Sequence, residues 1–241
     1  MRAVILAAGM GKRLEDVLNG KPKPLFEIGG KSIIEYSLES LAKTELSEVS
    51  VVLGFRGEKI KRKLGKKFKK LRINYLWNNS YETSGSMHSF YSALQKPEDC
   101  IVLDGDIVYD SQIIPELIKH DKENAVVLTE CCGGGDEVYV VLDKNKKVRY
   151  LGKSLPSNKT IFEFTGISKF SKRFVDEMFC LHEKNIKKQN NAEYYEDCAY
   201  STSKNVPWFG LIRMNLAWSE LDKKEDIPRI NKTLKSMGYV Y

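Results

Sequence analysis

Four short stretches of this 241-residue sequence combine residue types that could work on a phosphate. The first is Leu6-Ala7-Ala8-Gly9-Met10-Gly11-Lys12-Arg13-Leu14. Gly9 and Gly11 let backbone N–H groups approach phosphate oxygens with no Cβ in the way. Lys12 and Arg13 add positive charge beside them. The spacing is neither GxGxxG, because position 14 is Leu, nor that of a P-loop. The second stretch, Lys21-Pro22-Lys23-Pro24-Leu25, offers two lysines that taken alone read as ordinary surface. The third is Asp104-Gly105-Asp106, which ends an apolar run. The fourth is Trp218-Ser219-Glu220-Leu221-Asp222, whose two acids point to one side if the chain is extended there. Carboxylate oxygens are hard ligands suited to Mg²⁺, which takes one or two of them and leaves its other positions to phosphate and water. A strand-end turn accounts for Asp104–Asp106 equally well, and an ordinary helix cap for Asp222.

These stretches need elements to position them. Residues 2–8 read as a buried strand running into the glycine bend. Residues 32–43 read as a helix capped by Ser32, 49–54 as a strand, 73–78 as a strand and 86–95 as a helix. Residues 100–106 read as a strand ending in acids, 113–119 as a helix and 125–131 as a strand. This alternation predicts an α/β fold: a Rossmann-like, doubly wound, mostly parallel sheet with helices on both faces. The second half changes character. A hairpin turning at Lys144–Asn145, a strand over 161–170, helices over 174–187 and 192–203, a strand over 208–214 and a helix over 225–237 predict a small substrate-side β/α insertion. One domain is expected over 1–241, with a nucleotide half (1–130), an acceptor-side lobe (131–205) and a closing segment (206–241).

The net charge of +7 raises the question of nucleic acid, but its placement argues against it. Residues 56–72 hold ten basic side chains and one acid, so the rest of the chain carries −2. Ile60, Leu64, Phe68 and Leu71 recur there at helical spacing. They predict one amphipathic helix with a solvated basic face. No apolar run reaches the length of a membrane span. The apolar start reads as a core strand rather than a secretory signal. Cys100, Cys131, Cys132, Cys180 and Cys198 show no metal-site spacing and read as reduced thiols in a cytoplasmic protein.

The glycine stretch followed by Pro22-Lys23-Pro24-Leu25 resembles the signature of the sugar-phosphate nucleotidylyltransferases, and most closely the small phosphocholine and aminoethylphosphonate cytidylyltransferases. The resemblance implies that residues 6–13 wrap a nucleoside triphosphate. It implies that Arg13 binds the β- and γ-phosphates, and that Lys23 binds the α-phosphate and the acceptor phosphate. Asp106 and Asp222 would hold Mg²⁺, with Glu220 as a neighbouring ligand and Asp104 on the nucleotide side. The run Asn78-Asn79-Ser80-Tyr81 and Thr83-Ser84-Gly85-Ser86 would read the base, with Asn79, Ser84, Gly85 and Ser86 in contact. Ser86 opens a helix N-terminus suited to an anion. Gly85 departs from the Asn often found in those enzymes. Gly152-Lys153 and Glu163-x-x-Gly166-Ile167 resemble an acceptor-side pattern of the small cytidylyltransferases. Tyr194, Glu196 and Asp197 offer the acids and aromatics that a cationic headgroup needs. The segment 206–241 lacks a left-handed β-helix, which separates the chain from large bifunctional members.

The implied reaction transfers CMP from CTP to a small phosphorylated or phosphonate acceptor, of phosphocholine, aminoethylphosphonate or phosphoglutamine type, and releases pyrophosphate. Two other readings stay open: a sugar-1-phosphate nucleotidylyltransferase using UTP, dTTP or GTP, and a non-catalytic or RNA-binding protein on the same fold. The oligomeric state, a homodimer included, is open.

Overall fold

A computed structural model describes residues 1–157 and 159–239. Strands β1 (Arg2–Ala7), β2 (Glu48–Leu53), β3 (Leu71–Trp77) and β4 (Cys100–Asp104) form the parallel heart of a ten-stranded sheet in the order β3-β2-β1-β4. Ile5 lies level with Val51 and Leu103. These runs are apolar at consecutive positions because both faces of the sheet are covered. Alternate side chains serve two cores. Ala3, Ile5 and Ala7 face one, with helices α1 (Ile33–Ala42), α2 (Gly57–Leu64) and α4 (Ile113–Lys119). Val4 and Ala8 face the other, with α3 (Ser86–Ala93), α5 (Lys172–Lys187) and α6 (Tyr195–Thr202). The helices on both faces, the Ser32 cap of α1 with its reciprocal Glu35 contact, and the bounds of α4 match the sequence reading.

The second half turns the sheet antiparallel. Strand β9 (Phe162–Phe170) runs against β4 and also pairs with β6 (Ala125–Thr129) and β7 (Tyr139–Leu142). Its register shifts between Phe164 and Ser168, where Gly166 adopts φ +75°. A side chain there would drive its Cβ to 2.5 Å from Asp104 Oδ2, so glycine serves both the bulge and the close approach. Strand β8 (Val148–Gly152) flanks β7, and β10 (Phe209–Ile212) flanks β6 in parallel. A separate antiparallel pair, β5 (Ile107–Tyr109) with β11 (Trp218–Glu220), precedes helix α7 (Asp226–Ser236).

One predicted element is corrected. The basic stretch 56–72 is not one helix. Helix α2 ends at Leu64, and Gly65 follows with φ +67°. Lys67–Phe68 then pairs back on Leu71–Arg72 through a turn in which Lys69 has φ +52°. Period-3.6 apolar spacing continued across Gly65 by coincidence, since Phe68 and Leu71 meet across a tight hairpin. The lysines sit on an edge strand, where charge discourages pairing with another sheet.

Candidate active site

A cleft of about 530 Å³ opens at the carboxyl ends of β1 and β4, the usual ligand position of an open α/β sheet. The Asp104–Asp106 turn crosses β1 so closely that a Cβ on Gly105 would lie 2.5 Å from the Leu6 carbonyl oxygen. The fourth stretch arrives from the far end of the chain through one register: Glu220 lies opposite Ile107, and Leu221 N–H donates to the Asp106 carbonyl at 2.9 Å. Carboxylate oxygens of Asp106, Glu220 and Asp222 consequently lie within 4.8 Å of one another. Asp226 fixes this corner by accepting from the N–H groups of Asp222 and Lys223 at 2.7 and 2.8 Å.

Two cations face these acids. Lys23 Nζ lies 2.6 Å from Asp106 Oδ2 and 2.8 Å from Asp222 Oδ1, and Arg13 Nη1 lies 2.8 Å from Asp222 Oδ2. Burial alone would lower the Lys23 ammonium, but the charges of Asp106, Glu220 and Asp222 outweigh it and hold the group above its usual range. Burial raises the Asp222 carboxyl as well, yet Lys23 and Arg13 keep it below the ordinary value. Glu220 is pushed up to about 8 by burial and then by Asp106, with Lys23 opposing. Three hard oxygens converging from two segments, with room alongside for phosphate, fit a divalent cation such as Mg²⁺.

Of the residues expected to contact the nucleotide, only some line the cleft. Leu6, Ala7, Ala8, Gly9, Arg13, Ser84, Gly85, Ser86 and Asp104 line the cleft. Met10, Gly11 and Lys12 do not: they form the outer part of the bend, where Gly11 takes φ +61°. Asn79 is exposed away from the cleft, and its neighbour Asn78 does the organising. Asn78 is buried and bonds Ser84 Oγ and Ser89 Oγ, both at 2.9 Å, through Nδ2 and the Ser80 N–H through Oδ1. At the start of α3, where an anion was expected, two amides serve the chain itself: Gly85 N–H donates to the Asn191 carbonyl at 2.9 Å and Met87 N–H to that of Glu193 at 3.1 Å. Gly85 admits no side chain, because a Cβ would lie 2.1 Å from the Glu193 carbonyl oxygen. His88 turns from the cleft toward His182, with ring nitrogens 3.2 Å apart.

On the opposite wall Lys153, Glu163, Tyr194 and Glu196 line the cleft, while Asp197, one residue further along α6, is exposed outside it. Burial pushes Glu196 up to about 7, with Asp197 and Asp106 adding and its own N–H and Lys153 opposing. Asp104 is raised by burial and by Asp106. The sequence reading passed over the loop ahead of β7. Cys132, Asp136 and Glu137 line the cleft, as do Lys223 and Arg229 from the closing segment. Glu163 accepts from Cys132 N–H at 2.8 Å, Arg229 Nη1 donates to Cys132 Sγ at 2.6 Å, and Lys223 Nζ reaches the Gly134 carbonyl at 2.7 Å and Asp136 at 3.0 Å. The run Gly133-Gly134-Gly135 followed by two acids was the available signal.

A family model for the MobA-like NTP transferase domain matches residues 3–160. The chain belongs to that family. This NTP transferase is 28% identical over 201 residues to the CTP:phosphoglutamine cytidylyltransferase of Campylobacter jejuni, an alignment covering 76% of this chain and 78% of the relative. It is 31% identical over 127 residues to the choline-phosphate cytidylyltransferase of Haemophilus influenzae, covering 53% of each. Its fold superposes on the CTP:phosphocholine cytidylyltransferase of Streptococcus pneumoniae with a TM-score of 0.79, 20% identity, and 97% and 98% of the two chains covered. The transferase is therefore a nucleotidyltransferase of the kind that the glycine bend and Lys23 suggested. Among the described residues no helix is long and apolar enough to cross a membrane.

Proposed function

We propose that this transferase moves CMP from CTP to a small phosphorylated or phosphonate acceptor bearing a cationic group, releasing pyrophosphate. The observation that carries this reading is the meeting of Lys23, Asp106, Glu220 and Asp222, drawn from three distant segments to one corner beneath the glycine bend. The acceptor oxygen is already anionic, so no general base is required, and catalysis reduces to positioning and charge neutralisation. Lys23 offsets charge on the α-phosphate and orients the acceptor phosphate. Arg13 holds the departing pyrophosphate. The loop 78–86 positions the base. Mg²⁺ held by Asp106 and Asp222, with Glu220 beside them, would supply Lewis-acid neutralisation of the phosphate charge. Glu196, with Tyr194 at the rim, supplies negative charge and an aromatic face for an ammonium. The whole works as one unit, with 131–205 as the acceptor lobe.

The test is pyrophosphate release with each of the four NTPs against phosphocholine, 2-aminoethylphosphonate and a sugar 1-phosphate, in Mg²⁺. Turnover with CTP and an amine-bearing acceptor is expected. Preference for UTP, dTTP or GTP with the sugar phosphate would replace this reading by that of a sugar nucleotidylyltransferase.

A further inference from the structure

Two of the three carboxylates that could hold a divalent ion at this corner, those of Asp106 and Asp222, are already met by the chain's own cations. Lys23 bridges Asp106 Oδ2 and Asp222 Oδ1 at 2.6 and 2.8 Å, and Arg13 takes the other Asp222 oxygen at 2.8 Å. Glu220 brings a third carboxyl to the same corner. A Mg²⁺ ion needs its oxygens at about 2.0–2.1 Å in a near-octahedral shell. An ammonium bridging two of those oxygens occupies the same region and repels the ion. The two cations therefore compete for one set of ligands.

The basic side chains have an alternative partner nearby. The Lys23 stem passes beneath the glycine bend, with its Cβ 3.4 Å from where a Gly11 Cβ would stand. The bend is therefore within the reach of the Lys23 side chain itself. Arg13 sits at the mouth, with 61% of its side chain exposed. Nothing comparable is open to Arg229 in the neighbouring cluster, which is engaged at once by Cys132, Asp226 and the Glu220 carbonyl.

We propose that Lys23, assisted by Arg13, latches the Asp106–Glu220–Asp222 site against free divalent cations, so that an ion gains these carboxylates when nucleotide phosphates draw the two basic side chains away. The latch rests on the phosphate and metal roles proposed above. It makes nucleotide and metal binding mutually reinforcing, and by linkage the coupling is reciprocal. A charge-balanced corner would admit the metal as its nucleotide complex and disfavour futile loading by the free ion.

The test is binding of Mn²⁺ to the full chain without nucleotide, read from the electron paramagnetic resonance signal of the free ion. Wild type, K23M, R13M and the double variant K23M/D222N are compared. K23M is expected to bind Mn²⁺ about 10-fold tighter than wild type or more, R13M to gain less, and K23M/D222N to lose the gain. R13M changes an exposed side chain and keeps the test valid if K23M folds poorly. Equal Mn²⁺ affinity in wild type, K23M and R13M overturns the latch. If Mg²⁺-dependent turnover is nevertheless lost in D222N, the metal assignment survives and only the latch falls. If K23M/D222N binds as tightly as K23M, the ion lies elsewhere and both readings fall.

Discussion

Two neighbouring acid clusters line one cleft, and they differ in what their cations can do. Asp106, Glu220 and Asp222 meet Lys23 and Arg13. Cys132, Glu137 and Glu163 also bring their ligand atoms within 4.8 Å of one another, and they meet Arg229. The first cluster is mounted on strand ends and fixed by the β5–β11 register. The second hangs partly on a loop with three successive glycines, Gly133 and Gly135 at positive φ. In the first, the charge of Lys23 lies between two carboxylates below the phosphate-ready bend. In the second, burial and Glu163 push the Cys132 thiol up to about 11, so it stays neutral near pH 7 despite Arg229. Composition alone makes both clusters look like metal sites. On the function proposed above, the elements carrying them make one chemical and the other a fastener for the loop 131–137.

The sharpest way to break this contrast is to neutralise the first cluster. Asp222→Asn and Lys23→Ala are each expected to lower kcat by about 10²–10³-fold, as loss of preorganised charge does elsewhere, with an unchanged circular dichroism spectrum. Near-normal pyrophosphate release in either would remove the first cluster from the chemistry. Next in size is Glu196, which lines the same cleft. With its carboxyl at about 7, the charged form grows as pH rises through neutrality. The KM of a cationic acceptor should therefore fall from pH 6 to 8. Glu196→Gln is expected to raise that KM by about 10-fold at pH 8 and to flatten the profile. A wild-type KM independent of pH would detach Glu196 from the acceptor.

The same contrast shows what a sequence can carry. The first cluster was legible because its residues close periodic strands and match a family signature. Asp106 and Asp222 could be paired on paper, although only the register of Glu220 opposite Ile107 explains why they touch. Asn79 was chosen over Asn78 because a strand's last residue and the next one look alike in text. Burial decides between them. Asp197 came with Glu196 in the family-like run Tyr194–Asp197, but neighbours on a helix point about 100° apart. The helix over 56–72 failed because apolar spacing cannot tell a helix from a hairpin once glycine intervenes. The second cluster was invisible, since Cys132, Glu163 and Arg229 share no spacing and meet only through the antiparallel turn of β9.

Smaller effects sharpen the fastener role. Glu163→Ala leaves the Cys132 N–H without its acceptor. Cys132 is exposed, so water can take over part of that bond, and the expected cost is about 0.5–1.5 kcal/mol, seen as a lower denaturant midpoint. If this loop walls the acceptor as proposed, the acceptor KM should rise more than kcat falls. Loss of kcat as large as that of Asp222→Asn would make the second cluster chemical after all.

The smallest effect expected is that of Cys132→Ala. A neutral thiol that only receives Arg229 and leans on Glu163 at 3.5 Å contributes one weak polar contact on each side. Arg229 keeps Asp226 and the Glu220 carbonyl, and Glu163 keeps the residue-132 N–H, so the loop stays tied. The expected change is within about twofold in kcat and about 0.5–1 kcal/mol in stability. A thiolate serving as nucleophile or metal ligand would instead cost orders of magnitude. A measurement of kcat for this one variant therefore decides whether the two clusters differ in kind or only in degree.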